Sequence, residues 1–219
     1  MEPHTEFLDH TTTRTPVRGF LHRTPAPNSN WLVLTHGAGS NCQSPLLETL
    51  AETFAGLGIN TLRIDLPFRQ SRPHGPPPRG SAERDQDGLR AAVEAVRRKG
   101  ADRVLLGGHS YGGRQASMAA ATDPTLTAAL LLLSYPLHPP QRPAELRTKH
   151  FPDLRVPVLF VHGARDGFGS ILEMEEARKL IPAKTELLTI PNAGHELMST
   201  RNRAELPLLI AKAFLLFEE

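Results

Sequence analysis

Three residues of this 219-residue chain have the types that acyl transfer needs: Ser110, Asp166 and His195. Ser110 lies in Gly108-His109-Ser110-Tyr111-Gly112, a G-x-S-x-G. Asp166 ends His162-Gly-Ala-Arg-Asp166, and His195 ends Ile190-Pro-Asn-Ala-Gly194-His195. A serine hydroxyl is a weak nucleophile at neutral pH. It needs a base within hydrogen-bond reach, and the base needs an acid to orient it. Each residue alone has an ordinary reading: a glycine-rich turn with an incidental serine, a capping or ion-paired aspartate, a surface histidine. Together, in this order and each after its own apolar run, they read as nucleophile, orienting acid and base. The anion formed on attack needs two backbone N–H groups. Tyr111, next to the nucleophile, offers one. The other is expected from Ala38, with Gly37 next, in the loop His36-Gly37-Ala38-Gly39.

Such residues must be held by regular elements. Val104-Leu105-Leu106 reads as a buried strand that breaks at the glycines into a helix through Gln115–Ala121. A serine on that sharp turn would sit at a helix N-terminus, where backbone N–H groups favour a developing anion. Earlier, Val17–His22 reads as an edge strand and Trp31–Thr35 as a buried strand. A helix from Ser44 to Leu57 follows, with Pro45 at its first position and Gly58 as its stop. Ile59–Leu66 is the next strand, residues 67–80 a proline-rich break, and Ser81 opens a second helix. Strands are expected at Ala128–Leu133, Val158–Val161 and Glu186–Ile190, and helices at Ser170–Leu180 and Leu206–Phe217. Apolar strands alternating with helices predict an α/β fold, a mostly parallel, doubly wound sheet with helices on both faces. The whole of 1–219 is expected to be one domain, with an irregular or edge-strand segment over 1–30. His36, Asp65, Ser110, Ser134, Asp166 and His195 would then share the carboxyl edge of the sheet, where α/β proteins place their chemistry. The 134–157 segment has room for a loop and at most a short helix, hence no large cap domain.

Other groups compete for a role. Phe68–Arg79 contains Arg69, Arg72 and Arg79 and no acid. It is either a basic rim favouring anionic substrates or a solvated loop stiffened by proline, and the second reading is preferred. Arg69, Tyr135 and His138, all just past predicted strands, are the candidates for substrate contact. Arg114 either pairs with an acid or holds a substrate carboxylate, with the structural role favoured. Cys42 reads as a packed thiol, and His36 and His162 as hydrogen-bonding organisers of their loops. Gly37-Ala-Gly39 lacks the third glycine of a dinucleotide loop, whose place Cys42 takes.

His36-Gly37, Gly108-His-Ser-Tyr-Gly112, His162-Gly-Ala-Arg-Asp166 and Gly194-His195 resemble the α/β-hydrolase superfamily from about Trp31 onward, where the same Ser, Asp, His order occurs. More narrowly, Leu66-Pro-Phe-Arg69, Ser134-Tyr-Pro-Leu-His-Pro-Pro140 and Arg165-Asp-Gly-Phe-Gly169 resemble small, lidless, dienelactone-hydrolase-like proteins, a branch that includes eukaryotic relatives of the testis-expressed and chromatin-complex type. The resemblance implies a serine-dependent hydrolase fold and no particular substrate. Dienelactone hydrolases proper use a cysteine nucleophile, whereas this chain has Ser110 at that position.

Composition narrows the field. A formal charge of +2 gives no electrostatic case for nucleic acid, and a single cysteine excludes an internal disulfide. No Cys/His spacing suggests a metal, no cofactor is implied, and no apolar run reaches the roughly 18 residues of a membrane span. The N-terminus lacks the charge and apolar pattern of a signal peptide, so the expected location is the cytoplasm. The expected partner is a small ester or acyl compound; oligomeric state is not legible. The leading reading is therefore a serine hydrolase of the carboxylesterase type, cleaving an ester, amide or thioester. A binding or scaffold protein that keeps the fold, and an acyltransferase using the same three residues, are the alternatives.

Overall fold

Runs such as Trp31-Leu-Val-Leu and Leu130-Leu-Leu-Leu133 bury side chains on both faces of a strand, so the sheet they form needs helices on each side. The computed structural model describes residues 4–11 and 16–218; residues 1–3 and 12–15 of the N-terminal stretch, and residue 219, lie outside it. The first half of the chain provides β1 (Thr5–Asp9), β2 (Val17–His22), β3 (Asn30–Thr35), α1 (Pro45–Gly56), β4 (Asn60–Ile64), α2 (Pro67–Ser71) and α3 (Ala82–Arg98). The second half provides β5 (Arg103–His109), α4 (Tyr111–Thr122), β6 (Leu130–Leu133), β7 (Val158–Gly163), α5 (Ile171–Arg178), β8 (Thr185–Ile190) and α6 (Leu206–Phe217). The eight strands form one sheet in the order β1-β2-β4-β3-β5-β6-β7-β8. β2 is antiparallel to both its neighbours, and every other pairing is parallel.

Two expectations change. Val17–His22 is not an edge strand: β1 pairs outside it, from Thr5↔Leu21 to Asp9↔Val17. In β1 only Phe7 is buried, too weak a pattern to mark a strand. The proline-rich break also begins with a short helix, α2, which Pro67 starts with its preset φ.

Each face has its own core. Leu47, Leu50 and Phe54 of α1 meet Ile210, Ala211 and Phe214 of α6 on one side, with Phe54 edge-on to Phe214 at 6.2 Å. On the other side Leu89, Val93 and Val96 of α3 join Ala116, Ala119 and Ala120 of α4. Ser44 caps α1 by accepting from Leu47 N–H at 3.4 Å, and Gly58 ends the turn after it at φ +91°. Between β6 and β7 the described chain has only a short 3₁₀ turn, Phe151–Asp153, so no large cap covers the carboxyl edge.

The core also holds charge. Arg63, fully buried in β4, donates from Nε to His22 Nε2 at 2.8 Å and from Nη1 to the Cys42 carbonyl at 2.6 Å. Glu48 faces its Nη2 at 3.5 Å. Burial, and then the Arg63 charge, push His22 down to about 3. Burial likewise pushes His36 down to about 4.

Both histidines are therefore neutral in the fold and bind fewer protons than the unfolded chain below their ordinary 6.5. Their stabilisation is complete above that value and is lost as pH falls from it toward the folded values. Each contributes a slope of at most about 1.4 kcal/mol per pH unit. Urea unfolding at pH 7.5 and pH 5 should show a clear loss at the lower pH, and His22→Gln should shrink it. Equal stability at the two pH values for the unaltered protein would contradict this account.

Candidate active site

Ser110 joins β5 to α4 with φ 51° and ψ −116°, a conformation that a residue with a Cβ adopts at a cost of about 1–3 kcal/mol. The turn is held by Ser110 N–H, which donates to the Leu133 carbonyl of β6 at 2.8 Å. It closes because its flanking glycines let backbone touch backbone. A Cβ on Gly108 would lie 2.7 Å from the Gly113 nitrogen, and one on Gly112 would lie 2.5 Å from the His36 carbonyl oxygen. The β3–α1 loop thereby comes against the turn: a Cβ on Gly37 would lie 3.4 Å from Ser110 Cβ.

The other two loops converge on the hydroxyl. His195 Nε2 accepts from Ser110 Oγ at 2.8 Å, and His195 Nδ1–H donates to Asp166 Oδ2 at 2.8 Å and Oδ1 at 3.0 Å. These partners fix the tautomer. The Asp166 side chain is fully buried, whereas that of His195 keeps 19% of its surface. Burial alone would raise the Asp166 pKa. The hydrogen bond from His195 and that from the Phe168 N–H to Oδ1 at 2.8 Å outweigh it and hold the carboxyl below its ordinary value. The base loop is pinned from several sides. Arg165 N–H donates to Ala193 O at 2.8 Å, and His109 Nε2–H donates to the His195 carbonyl at 2.8 Å. The Phe168 ring lies along the His195 imidazole, with centroids 4.2 Å apart and planes inclined by 31°. His162, behind the aspartate, donates from Nε2 to Gly169 O at 2.8 Å.

A second set of contacts shapes the loop that carries Ala38. His36 donates from Nδ1 to Gly37 O at 2.9 Å and accepts Leu66 N–H on Nε2 at 3.1 Å. Arg69 is buried, its guanidinium stacked over Phe68. Nε donates to Ser40 O at 2.7 Å, and Nη2 to Ala38 O at 2.7 Å and Gly75 O at 3.0 Å, while Nη1 takes Arg72 O at 2.9 Å. Asp85, fully buried in α3, accepts Phe68 N–H at 2.9 Å and the Tyr111 hydroxyl at 2.8 Å. Burial raises its pKa against these bonds.

The structure thus brings Ser110, Asp166 and His195 into one hydrogen-bonded chain, with Tyr111 at the start of α4 and Gly37-Ala38 alongside. It gives all three substrate-contact candidates partners within the protein. Arg69 spends its donors on four carbonyls. Tyr135 is fully buried, with its hydroxyl on Arg147 O at 2.6 Å. His138 is buried too, donating from Nδ1 to Pro139 O at 2.9 Å, with Glu173 3.4 Å from Nε2. A basic rim of three arginines therefore loses Arg69; Arg72 and Arg79 remain exposed. Cys42 is a buried thiol whose pKa burial pushes up. Sequence reasoning missed His109, Phe168 and Asp85. Proximity to the motifs was the one signal available for the first two, and nothing in the sequence sets Asp85 apart from the other acids of α3.

The chain matches a family model described as an alpha/beta hydrolase domain over residues 28–207. Two curated proteins, from Salmonella typhimurium and Escherichia coli (strain K12), each bear the name "Putative carboxymethylenebutenolidase". They are 33% identical over 103 residues and 32% over 108, covering 43% and 45% of this chain. Those matches span only 37% and 38% of the relatives' own lengths. A dienelactone hydrolase from Anabaena variabilis superposes with a TM-score of 0.78 at 21% identity, covering 99% of both chains. Est1E from Butyrivibrio proteoclasticus gives 0.77 at 17% identity and 98% of both. At such identities the structural likeness concerns the fold.

Because Arg69 satisfies four carbonyls from an enclosed position, Arg69→Ala should strip them of a charged donor that water cannot readily replace. The expected loss is about 2–4 kcal/mol in urea unfolding, with faster amide exchange confined to residues 38–40 and 72–75. Unchanged stability and exchange would show that these bonds do not hold the loop.

Proposed function

The chain belongs to the alpha/beta hydrolase domain family, and within it we propose that this protein is a serine hydrolase that cleaves a small carboxylic ester, or the related amide or thioester, through an acyl-enzyme. The observation that carries the reading is the pair of 2.8 Å contacts linking Ser110 Oγ to His195 and His195 to Asp166. Each group has the partner its chemical role requires. We read residues 1–219 as one hydrolase domain of the lidless kind, and the motifs around Arg69, Ser134 and Arg165 favour the dienelactone-hydrolase-like branch with its testis-expressed and chromatin-complex relatives.

The steps follow from the geometry. Ser110 Oγ attacks the acyl carbon as its proton passes to His195 Nε2. Asp166 keeps the ring oriented and stabilises the imidazolium. Negative charge moves to the former carbonyl oxygen, which Tyr111 N–H, at the N-terminus of α4, and Ala38 N–H accommodate. When the tetrahedral intermediate collapses, the bond to the leaving group breaks and His195 Nε2–H protonates the departing oxygen. A water then loses a proton to His195 and attacks the acyl-enzyme. The second collapse frees the acid and returns the proton to Ser110. His195 borders a cleft of about 740 Å³ with Arg165 and the 191–202 loop, which gives a departing alcohol an open path. Phe168 limits the swing of the imidazole from one face.

A fluorophosphonate should label Ser110, as read by peptide mass spectrometry, and Ser110→Ala should abolish both labelling and ester turnover. Ser110→Gly should also be inactive yet more stable than the alanine variant by about 1 kcal/mol, since glycine tolerates φ 51° without strain. Labelling at another residue, or no labelling of the folded protein, would remove the hydrolase reading.

A further inference from the structure

Two glutamates of α1 face a histidine that neither of them bonds. Glu48 and Glu52 lie four residues apart, on neighbouring turns of one helix face, in a helix that has no basic residue of its own. His4 directly precedes β1, and the register Thr5↔Leu21 carries it opposite His22, at the end of β2. One ligand atom from each of His4, Glu48 and Glu52 lies within 4.8 Å of the other two. Among the described residues no hydrogen bond or ion pair joins His4 to either carboxylate, and His4 Nδ1 is buried without a partner. Glu52 is exposed, so the cluster is open to solvent on the side of α1.

His22 supplies a second, independent observation. Its side chain is fully buried, and its ring lies 5.1 Å from that of His4 with the planes inclined by 35°. Arg63 Nε can only donate, so His22 Nε2, at 2.8 Å, is the acceptor and the proton sits on Nδ1. That N–H is buried with no acceptor. Two adjoining imidazoles therefore each end on an idle buried nitrogen, beside two carboxylates. Phe20 closes one side of the group, edge-on to His4 at 5.2 Å. Arg63 answers only part of the charge. Its Nη2 lies 3.5 Å from Glu48 Oε1, and among the described residues Glu52 has no ion pair. Two carboxylates against one guanidinium and a singly protonated His22 leave the cluster negative.

We propose that His4, Glu48 and Glu52 form a site for a zinc-class divalent cation that pins the edge strand β1 to α1. One imidazole nitrogen with two carboxylate oxygens is a donor set that zinc accepts, with water completing the coordination, whereas magnesium and calcium require oxygen. Zinc bonds of about 2.0–2.2 Å put tetrahedral neighbours about 3.4 Å apart. Closing the present group by about an ångström is within reach of an exposed glutamate that changes rotamer. Glu48 is already oriented by Arg63, as ligating carboxylates usually are by an outer partner. The strand stands to gain most from the link, because Phe7 is its one buried residue. His22 pairs with Thr61 near the start of β4, so the site lies toward the amino edge of the sheet, away from Ser110, and is independent of the hydrolase reading. Its ligands stand at positions 4, 48 and 52, which form no spacing that a metal motif would show.

The test titrates the full chain, first stripped with a chelator, with Zn²⁺ alone in a calorimeter. One site should appear, and Zn²⁺ at about a hundred times its Kd should raise the melting temperature by about 5–10 °C. His4→Gln and Glu52→Gln should each weaken binding about a hundred-fold and remove the shift, with unchanged circular dichroism in chelator showing that both variants are folded. His74→Gln removes an exposed imidazole from the proline-rich segment and should leave binding as it was. Mg²⁺ and Ca²⁺ at the same concentration should give no shift. In the unaltered protein Zn²⁺ should also slow amide exchange over Thr5–Asp9, a readout that needs no variant. No binding of Zn²⁺, or binding indifferent to His4 and Glu52, would overturn the site. An equal response to Mg²⁺ would show a carboxylate pair without the histidine and overturn the zinc-class assignment. Tight binding that leaves the exchange of β1 unaltered would overturn the pinning of that strand.

Discussion

The backbone turn at Ser110 is the constraint on which the carboxyl edge of the sheet depends. Its φ of 51° is tolerable only where the surrounding chain gives the strand no other way out. Gly112 lets the His36 carbonyl come within a distance that forbids a Cβ, and Gly108 and Gly113 meet backbone to backbone. The same close approach that strains the serine brings the β3–α1 loop beside it. Strain and site assembly therefore have one cause. A similar device serves the base: a Cβ on Gly163 at the end of β7 would lie 2.5 Å from the carbonyl oxygens of Ala193 and Gly194, which seats the histidine loop on the strand that leads into the Asp166 loop.

Around this edge, buried polar side chains do the work that a cap domain would do in a larger protein. Arg69 ties Ala38, Ser40, Arg72 and Gly75 together, and Asp85 ties Phe68 to Tyr111. Each lies where an apolar residue would leave several backbone or hydroxyl groups without partners. The loops are consequently rigid without being covered, and His195 keeps access to solvent from a fixed position. Charge is distributed in the same economical way. Histidines 22, 36 and 150 are neutral by burial, and Asp166 is held ionised by His195.

Much of this was written locally. The apolar runs gave the parallel strands, and Ser44-Pro45 and Gly58 marked α1 within a residue or two, because capping and φ preferences act over a few positions. The order of Ser110, Asp166 and His195 past three strands was legible for a related reason: in a parallel sheet the ends of strands share one edge whatever the details of packing. β1 escaped notice because a strand with one buried residue has no periodicity to read; its existence depends on the exposed edge of β2.

What only the tertiary structure decided were the partners of long side chains. Arg69 looked like a rim residue and is an internal clamp, while Arg72, three residues on, stays exposed. Nothing in the spacing distinguishes them. A guanidinium reaches several ångströms from its backbone, and its role is set by whether carbonyls from distant segments, 31 residues away for Ala38 and 6 for Gly75, happen to close around it. Motif, order and strand ends are consequences of local chemistry and sheet direction. The occupancy of each buried donor is a consequence of the packed fold alone.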